Sequence, residues 1–350
     1  MTKDSIVFLA DHTYYKNMNA RVCYDFITHV RDYSREYNIT IFWTDDDVYR
    51  VYDEILLLHP KLIVVFEINN FQPRTKNFEF IFSINVPVYL FLDDTYYINR
   101  NTSTCEYSCR TNGLIFWYKN DKALRSYQRV FPDKTITHVD SRFVNTNVFR
   151  NWGLEKKYDI LMYGSRIYHY EYKREQNDAI QDYIKQYEQH NQVEVTTDTK
   201  ISFYPLRCKL ISVLEKLKSK YNIKVVDEAC YDSSLANEEL SQLINQSYLT
   251  ITCSSIADVL LHKYLEISAS NSVILGDIPS DYTGLFAGNV VELNSFMDDA
   301  QIIAIIDNAL ADKPRLLEMG ARLCDRVHEH HNLKKASESF TRVLDQLCAK

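Results

Sequence analysis

Tyr248-Leu249-Thr250-Ile251-Thr252-Cys253 runs into Ser254-Ser255-Ile256-Ala257-Asp258-Val259-Leu260-Leu261-His262-Lys263-Tyr264-Leu265-Glu266-Ile267-Ser268-Ala269-Ser270-Asn271-Ser272, then Val273-Ile274-Leu275-Gly276 and Asp277-Ile278-Pro279. The alternation of apolar run, polar stretch, short periodic segment and second apolar run reads as buried strand, loop, short helix, buried strand. Asp258 and Glu266 lie eight residues apart. If the helix begins near Asp258, that spacing is just over two turns and sets both carboxylates on one side, about a quarter turn apart.

Outward from this stretch the same alternation repeats. On the N-terminal side, strand-like runs at Ile6–Ala10, Ile39–Trp43, Leu62–Phe66, Val86–Leu92, Leu114–Tyr118 and Thr135–Val139 alternate with helical segments such as Ala20–Tyr37 and Lys122–Val130. After the polar, glycine-bearing stretch Phe149–Lys157 a second series opens at Ile160–Tyr163. It continues through Ile223–Val226, Leu249–Cys253, Val273–Leu275 and Val290–Leu293, with helices at Tyr170–Gln189, Leu206–Tyr221, Glu238–Gln246, Asp298–Ala311 and two more from Pro314. Strand and helix in alternation make a parallel sheet covered on both faces. The fold class is therefore α/β, with two doubly wound Rossmann-like domains, residues 1–152 and 153–333, and a last helix within 334–350.

Composition excludes several classes. The chain of 350 residues is 46% hydrophobic and 25% charged, a soluble globular balance with room for two cores. The greasiest run, Ile55–Phe66, is interrupted by His59-Pro60-Lys61, so no membrane span is expected. Strand-like sequence begins at Ser5, too early for a secretory signal, and a cytoplasmic location is the expectation. A net charge of −7 argues against a nucleic-acid binder. Most of the eight cysteines sit in apolar patterns and read as reduced core thiols. Cys105 and Cys109 form one close pair, either a bridge or half a metal site, with no second pair of matching spacing, so no metal is expected. His328, His330 and His331 lack the spacing of a helical zinc pair and read as solvated. Asp45-Asp46-Asp47 follows a strand and begins a helix, where acids complement the dipole.

Three constellations carry chemistry. Gly164-Ser165-Arg166 follows a strand, where backbone amides can approach phosphate oxygens and a guanidinium can hold two of them. Asp11-His12 ends the first strand, and an imidazole oriented by a carboxylate is a general base near neutral pH. Asp93-Asp94 ends the fourth strand and offers a second acid pair. The plainer alternatives are turn caps for Asp11, Asp93 and Asp94, a turn glycine for Gly164, a salt bridge for Arg166, a helix cap for Asp258 and a solvated helix acid for Glu266.

The Asp258-to-Glu266 segment, with its small-residue helix end and short Val/Ile strand, resembles the Glu-x7-Glu nucleotide-sugar site of GT-B glycosyltransferases. Here Asp replaces the first acid and Asn271 the usual glycine. Tyr204-Pro205-Leu206-Arg207 resembles a segment of the CgeB-like subgroup, and that likeness extends over roughly Tyr158–Leu347. The resemblance implies two domains facing a cleft, with the final helix returning to the first. It implies that Glu266 binds the donor ribose, that Asp258 touches the donor sugar, that Gly164, Ser165 and Arg166 meet the diphosphate together with one of His262 and Lys263, and that Arg207 belongs to the donor-binding set. The acceptor side would use His12 with Asp11, or Asp93 or Asp94. The implied activity is metal-independent transfer from a nucleoside-diphosphate sugar, a substrate rather than a cofactor, to a hydroxyl of a glycan or small acceptor. Nucleotide-sugar binding without catalysis and sugar-nucleotide epimerisation are the alternatives. Base, sugar, acceptor, anomeric outcome and oligomeric state stay open.

Overall fold

The computed structural model describes residues 3–10, 21–67, 75–92, 108–140, 142–164, 169–171, 177–196, 199–226 and 237–349. They divide into two compact units, Met1–Arg142 with Leu333–Lys350, and Phe143–Asn332.

The first unit is built on six parallel strands, β1 (Asp4–Ala10), β2 (Tyr37–Trp43), β3 (Leu62–Glu67), β4 (Val88–Leu92), β5 (Gly113–Phe116) and β6 (Thr135–His138), in the order β2-β1-β3-β4-β5-β6. The central strands are continuous apolar runs because both faces of the sheet are covered. Ile6–Ala10, Leu62–Phe66 and Leu114–Phe116 are all buried. One face carries the Val48–Leu58 and Asp121–Val130 helices, whose Val51, Ile55, Ala123 and Tyr127 join the strand side chains in one core. Local sequence starts these helices. Asp47 accepts from the Arg50 amide at 2.8 Å, Asn120 accepts from the Ala123 amide at 2.9 Å, and Asp46 pairs with Arg50 at 2.9 Å. Asp46 and Asp47 of the acidic run thus supply helix-start contacts.

The opposite face is closed by residues from both ends of the sequence. The Leu333–Cys348 helix packs on the Arg21–Tyr33 helix. Its buried Phe340 meets Phe8, Phe26, Phe66 and Phe91 at ring-centroid separations of 5.9, 5.5, 6.0 and 5.4 Å. Polar side chains fix the register: His29 with Ser337 at 2.8 Å, Ser34 with Thr341 at 2.9 Å, and Tyr37 donating to Asp345 at 2.6 Å.

The second unit has five parallel strands, β7 (Tyr158–Tyr163), β10 (Ile223–Val226), β11 (Ser247–Ile251), β12 (Val273–Gly276) and β13 (Val290–Glu292), in the order β10-β7-β11-β12-β13. Its core joins these strands to the Pro205–Leu217, Asp299–Ala311 and Lys313–His330 helices. A two-stranded antiparallel ribbon, β8 (His169–Glu171) with β9 (Lys200–Ser202), was not expected. It displaces the start of the expected Tyr170–Gln189 helix to Asp178, where Asn177 caps the Ala179 amide at 2.9 Å. Residues 143–152 group with this unit because the Trp152 indole donates to Ser241 at 2.9 Å and Asn245 holds both Asn151 and the Leu154 amide at 3.1 Å. The histidines expected to be solvated divide: His331 is buried and His328 reaches the Ala269 carbonyl at 3.2 Å, while His330 is exposed. No helix among the described residues is long and apolar enough to cross a membrane.

Because Phe340 fills the centre of an aromatic cluster that cannot collapse around a void, Phe340→Ala should cost about 3–5 kcal/mol of stability in the first unit, read by urea denaturation. A loss below about 1 kcal/mol would mean the last helix is not integral to that core.

Candidate functional site

In the second sheet β10 lies on one side of β7 and β11 on the other, so the chain changes direction between β7 and β11. Open α/β sheets bind ligands outside the carboxyl ends of the strands at this switch point, where the diverging connections leave a crevice. Tyr163 and Gly164 close β7 there, and Thr252–Leu261 leave β11 beside them.

The His262–Ala269 helix begins four residues later than the spacing argument assumed. Asp258 therefore does not share a helix face with Glu266. It sits in the preceding turn at φ 52°, and Ser255 in the same turn is at φ 67°. Two left-handed non-glycine residues so close together mark a turn imposed by its surroundings. The restraints are visible. Asp258 accepts from the Ser280 amide at 3.0 Å and from the Ser280 hydroxyl, and Ile256 donates to the Phe203 carbonyl at 3.0 Å. Gly276 lets β12 pass close beneath, since a Cβ there would stand 1.9 Å from the Thr252 carbonyl oxygen.

Glu266 faces the switch point, and the Tyr163 hydroxyl donates to its Oε2 at 3.1 Å. One helical turn earlier, Lys263 donates to the Tyr163 carbonyl at 3.2 Å, its ammonium 4.8 Å from the Tyr163 ring centroid. Gly164 follows at φ 86°, a conformation glycine adopts without a side-chain clash. Glu266, Lys263 and Gly164 are thus brought together by the end of β7. Such a carboxylate can accept from hydroxyl pairs, and such an ammonium can face an anion. His262 opens the same helix and is partly exposed. Arg207 is instead one of the largest fully buried side chains, its guanidinium 4.2 Å from the Tyr204 ring centroid. Ser165, Arg166, Asp11, His12, Asp93, Asp94 and Cys105 lie outside the described residues. Cys109 is an exposed free thiol. Among the described residues no three His, Cys, Asp or Glu side chains cluster as a metal site would require.

Sequence reasoning missed two groups. Tyr163 was read only as strand. Asp277, the acid just after β12, takes hydrogen bonds on Oδ1 from the Ser254 amide at 2.7 Å and the Tyr264 hydroxyl at 2.6 Å. Enclosure of its carboxylate pushes its pKa up to about 6, against the pull of those donors. Its position after a buried strand was the available signal.

Two parallel doubly wound sheets in two units are the architecture of GT-B glycosyltransferases, and the comparisons place the chain in that class. Residues 154–341 match the glycosyl transferase-like family, and the chain belongs to that family. Its fold is similar to sucrose-phosphate synthase of Thermosynechococcus elongatus, at 9% identity and a TM-score of 0.62 over 99% of this chain and 100% of that one. It is also similar to Anabaena HepE solved with UDP and glucose, at 11% identity and 0.57 over 98% and 100%. A glycosyltransferase of Rickettsia africae gives 10% identity and 0.54 over 99% of each chain. No curated protein matches the chain significantly.

The raised pKa of Asp277 has a definite sign. The folded state holds the proton more tightly than the unfolded chain, so the contribution to stability is full below the ordinary value of 3.8 and is lost as pH rises through about 6. Asp277→Asn, which mimics the protonated acid, should therefore gain stability relative to the native chain between about pH 4 and about pH 7 in urea melts. A pH-independent difference would show that the acid is not destabilised by its surroundings.

Proposed function

We propose that this chain transfers a hexose or pentose from a nucleoside-diphosphate sugar to a hydroxyl of a glycan or small acceptor without a divalent metal. The observation that carries the reading is Glu266, held by Tyr163 at the switch point with Lys263 one turn away. In this reading Glu266 accepts from the ribose hydroxyls. Lys263, His262 and the backbone at Gly164 meet the diphosphate together with Ser165 and Arg166, and Asp258 faces the donor sugar. Fixed cations then stabilise the departing nucleoside diphosphate, the task a metal performs in other glycosyltransferases. The acceptor oxygen forms its bond to the anomeric carbon as the carbon–phosphate oxygen bond breaks. The acceptor proton passes to His12, oriented by Asp11, or to Asp93 or Asp94.

One observation favours a second reading, nucleotide-sugar binding without transfer: both Asp258 oxygens already accept from Ser280. Release of nucleoside diphosphate from a bound donor, with and without acceptor, separates the two. Donor turned into an isomeric nucleotide sugar would instead indicate epimerisation.

A thermal-shift panel of UDP-, GDP-, dTDP- and CMP-sugars identifies the donor, since a ligand that binds only the native state stabilises it. Against the matching nucleoside diphosphate, Glu266→Ala should lose about 1.5–3 kcal/mol in calorimetric titration with the fold intact. Unchanged affinity would remove Glu266 from the site. EDTA should leave turnover intact, and His12→Ala should slow it roughly a hundredfold with donor affinity preserved. Turnover that requires an added divalent ion would overturn the metal-free scheme, and normal turnover in His12→Ala would pass the base to Asp93 or Asp94.

A further inference from the structure

The helix that carries Lys263 and Glu266 has eight residues. An isolated helix of that length does not hold together in water, so its direction is set by what grips its ends. The C-terminal grip is dense and polar. Asn271 turns the chain at φ 59°, which Asn tolerates better than most residues. The Lys156 ammonium donates to the Asn271 carbonyl at 2.6 Å and to the Ser247 carbonyl at 2.9 Å, tying the helix exit to the first residue of β11. Cys324 donates to the Ala269 carbonyl at 3.2 Å, and the His328 ring meets the same oxygen at 3.2 Å. Ser270 is held from the other side by Ser241 and Asn245, each at 2.9 Å. Gly320 permits the approach of the Lys313–His330 helix, since a Cβ there would lie 3.0 Å from Asn271 Oδ1.

We propose that Lys156 is a positioning residue for the donor site, fixing the direction of the His262–Ala269 helix, and with it Glu266, by clamping the Asn271 and Ser247 carbonyls. This rests on the donor-site reading of Glu266. Lys156 sits on the segment entering β7, touches neither Glu266 nor Lys263, and acts on them through the helix. A cation at the C-terminal end also complements the negative end of the helix dipole. The arrangement strains the lysine. Enclosure brings its pKa down to about 8, the Cys324 thiol beside it opposing the shift. The folded state therefore gives up this proton before the unfolded chain does, and from about 8 up to the ordinary 10.5 the lysine's contribution to stability rises with pH. The other titratable groups facing this corner are Cys324 and His328 on the Lys313–His330 helix, with Asp325 next to the thiol.

The test measures two quantities in each variant: affinity for the tightest-binding member of UDP, GDP, dTDP and CMP, by calorimetry, and the urea midpoint. Lys156→Met should weaken binding by about fivefold or more with a midpoint close to that of the native protein, and Lys156→Arg, which keeps a donor and a charge, should restore most of the affinity. Binding within about twofold of native in Lys156→Met overturns the proposal, as does a loss that Arg does not repair. Should Lys156→Met not fold, the native protein decides. Its affinity should fall as pH rises from about 7 to about 9, where the ammonium loses its charge, and a flat profile overturns the proposal. Glu266→Ala is measured beside them. If it too binds normally, the donor-site reading fails; if it alone weakens binding, only the role of Lys156 fails.

Discussion

A two-turn helix cannot fix its own direction, and the candidate site depends on one. The groups with binding chemistry, His262, Lys263 and Glu266, stand on eight residues whose terminal amides and carbonyls must be satisfied from outside. At the entry the Tyr264 hydroxyl holds Asp277 and Lys263 reaches Tyr163. At the exit Lys156, Cys324, His328, Ser241 and Asn245 meet the last carbonyls and Ser270. Parts of the chain more than a hundred residues from Glu266 in sequence, such as Lys156, thus share in aiming its carboxylate.

The loop before that helix shows the other side of the same dependence. Ser255 and Asp258 occupy left-handed conformations that cost free energy, and these persist only because the Ser280 turn and the Phe203 carbonyl hold the loop in place. The rigid floor is the parallel sheet, where Gly276 admits a backbone approach that no larger residue permits. Asp277 adds a cost of a different kind, an acid enclosed against its ionisation preference, and its two donors keep it in place. Such local costs are offset by the apolar cores around the strands, since hydrophobic burial is the dominant favourable term in folding.

In the first unit the corresponding dependence runs along the whole chain. Phe340 completes an aromatic cluster with Phe8, Phe26, Phe66 and Phe91, so this face of the first sheet is only partly covered without the last helix. The first unit joins both ends of the sequence, whereas the second, contiguous from Phe143 to Asn332, is built from a single continuous stretch.

By itself the sequence determined the class of fold: runs such as Ile6–Ala10 and Leu62–Phe66 are apolar throughout because a parallel sheet is covered on both faces, and the periodicity carries that without reference to any partner. It also determined which residue types stand after β7 and β11, and Glu266, Lys263 and Gly164 do meet there. What it could not determine was where the His262–Ala269 helix starts. Asp258 has the local chemistry of a helix cap, but Ser280, twenty-two residues on, claims both its oxygens and leaves the helix to begin at His262. Arg207 reads as donor-binding through its resemblance to the CgeB-like segment, and only the tertiary structure shows that its side chain is fully buried against Tyr204. Tyr163, Asp277 and Lys156 carry no local signal beyond strand, turn and linker. Their partners come from elsewhere in the sequence, and only the order β10-β7-β11-β12 brings those partners within hydrogen-bonding reach.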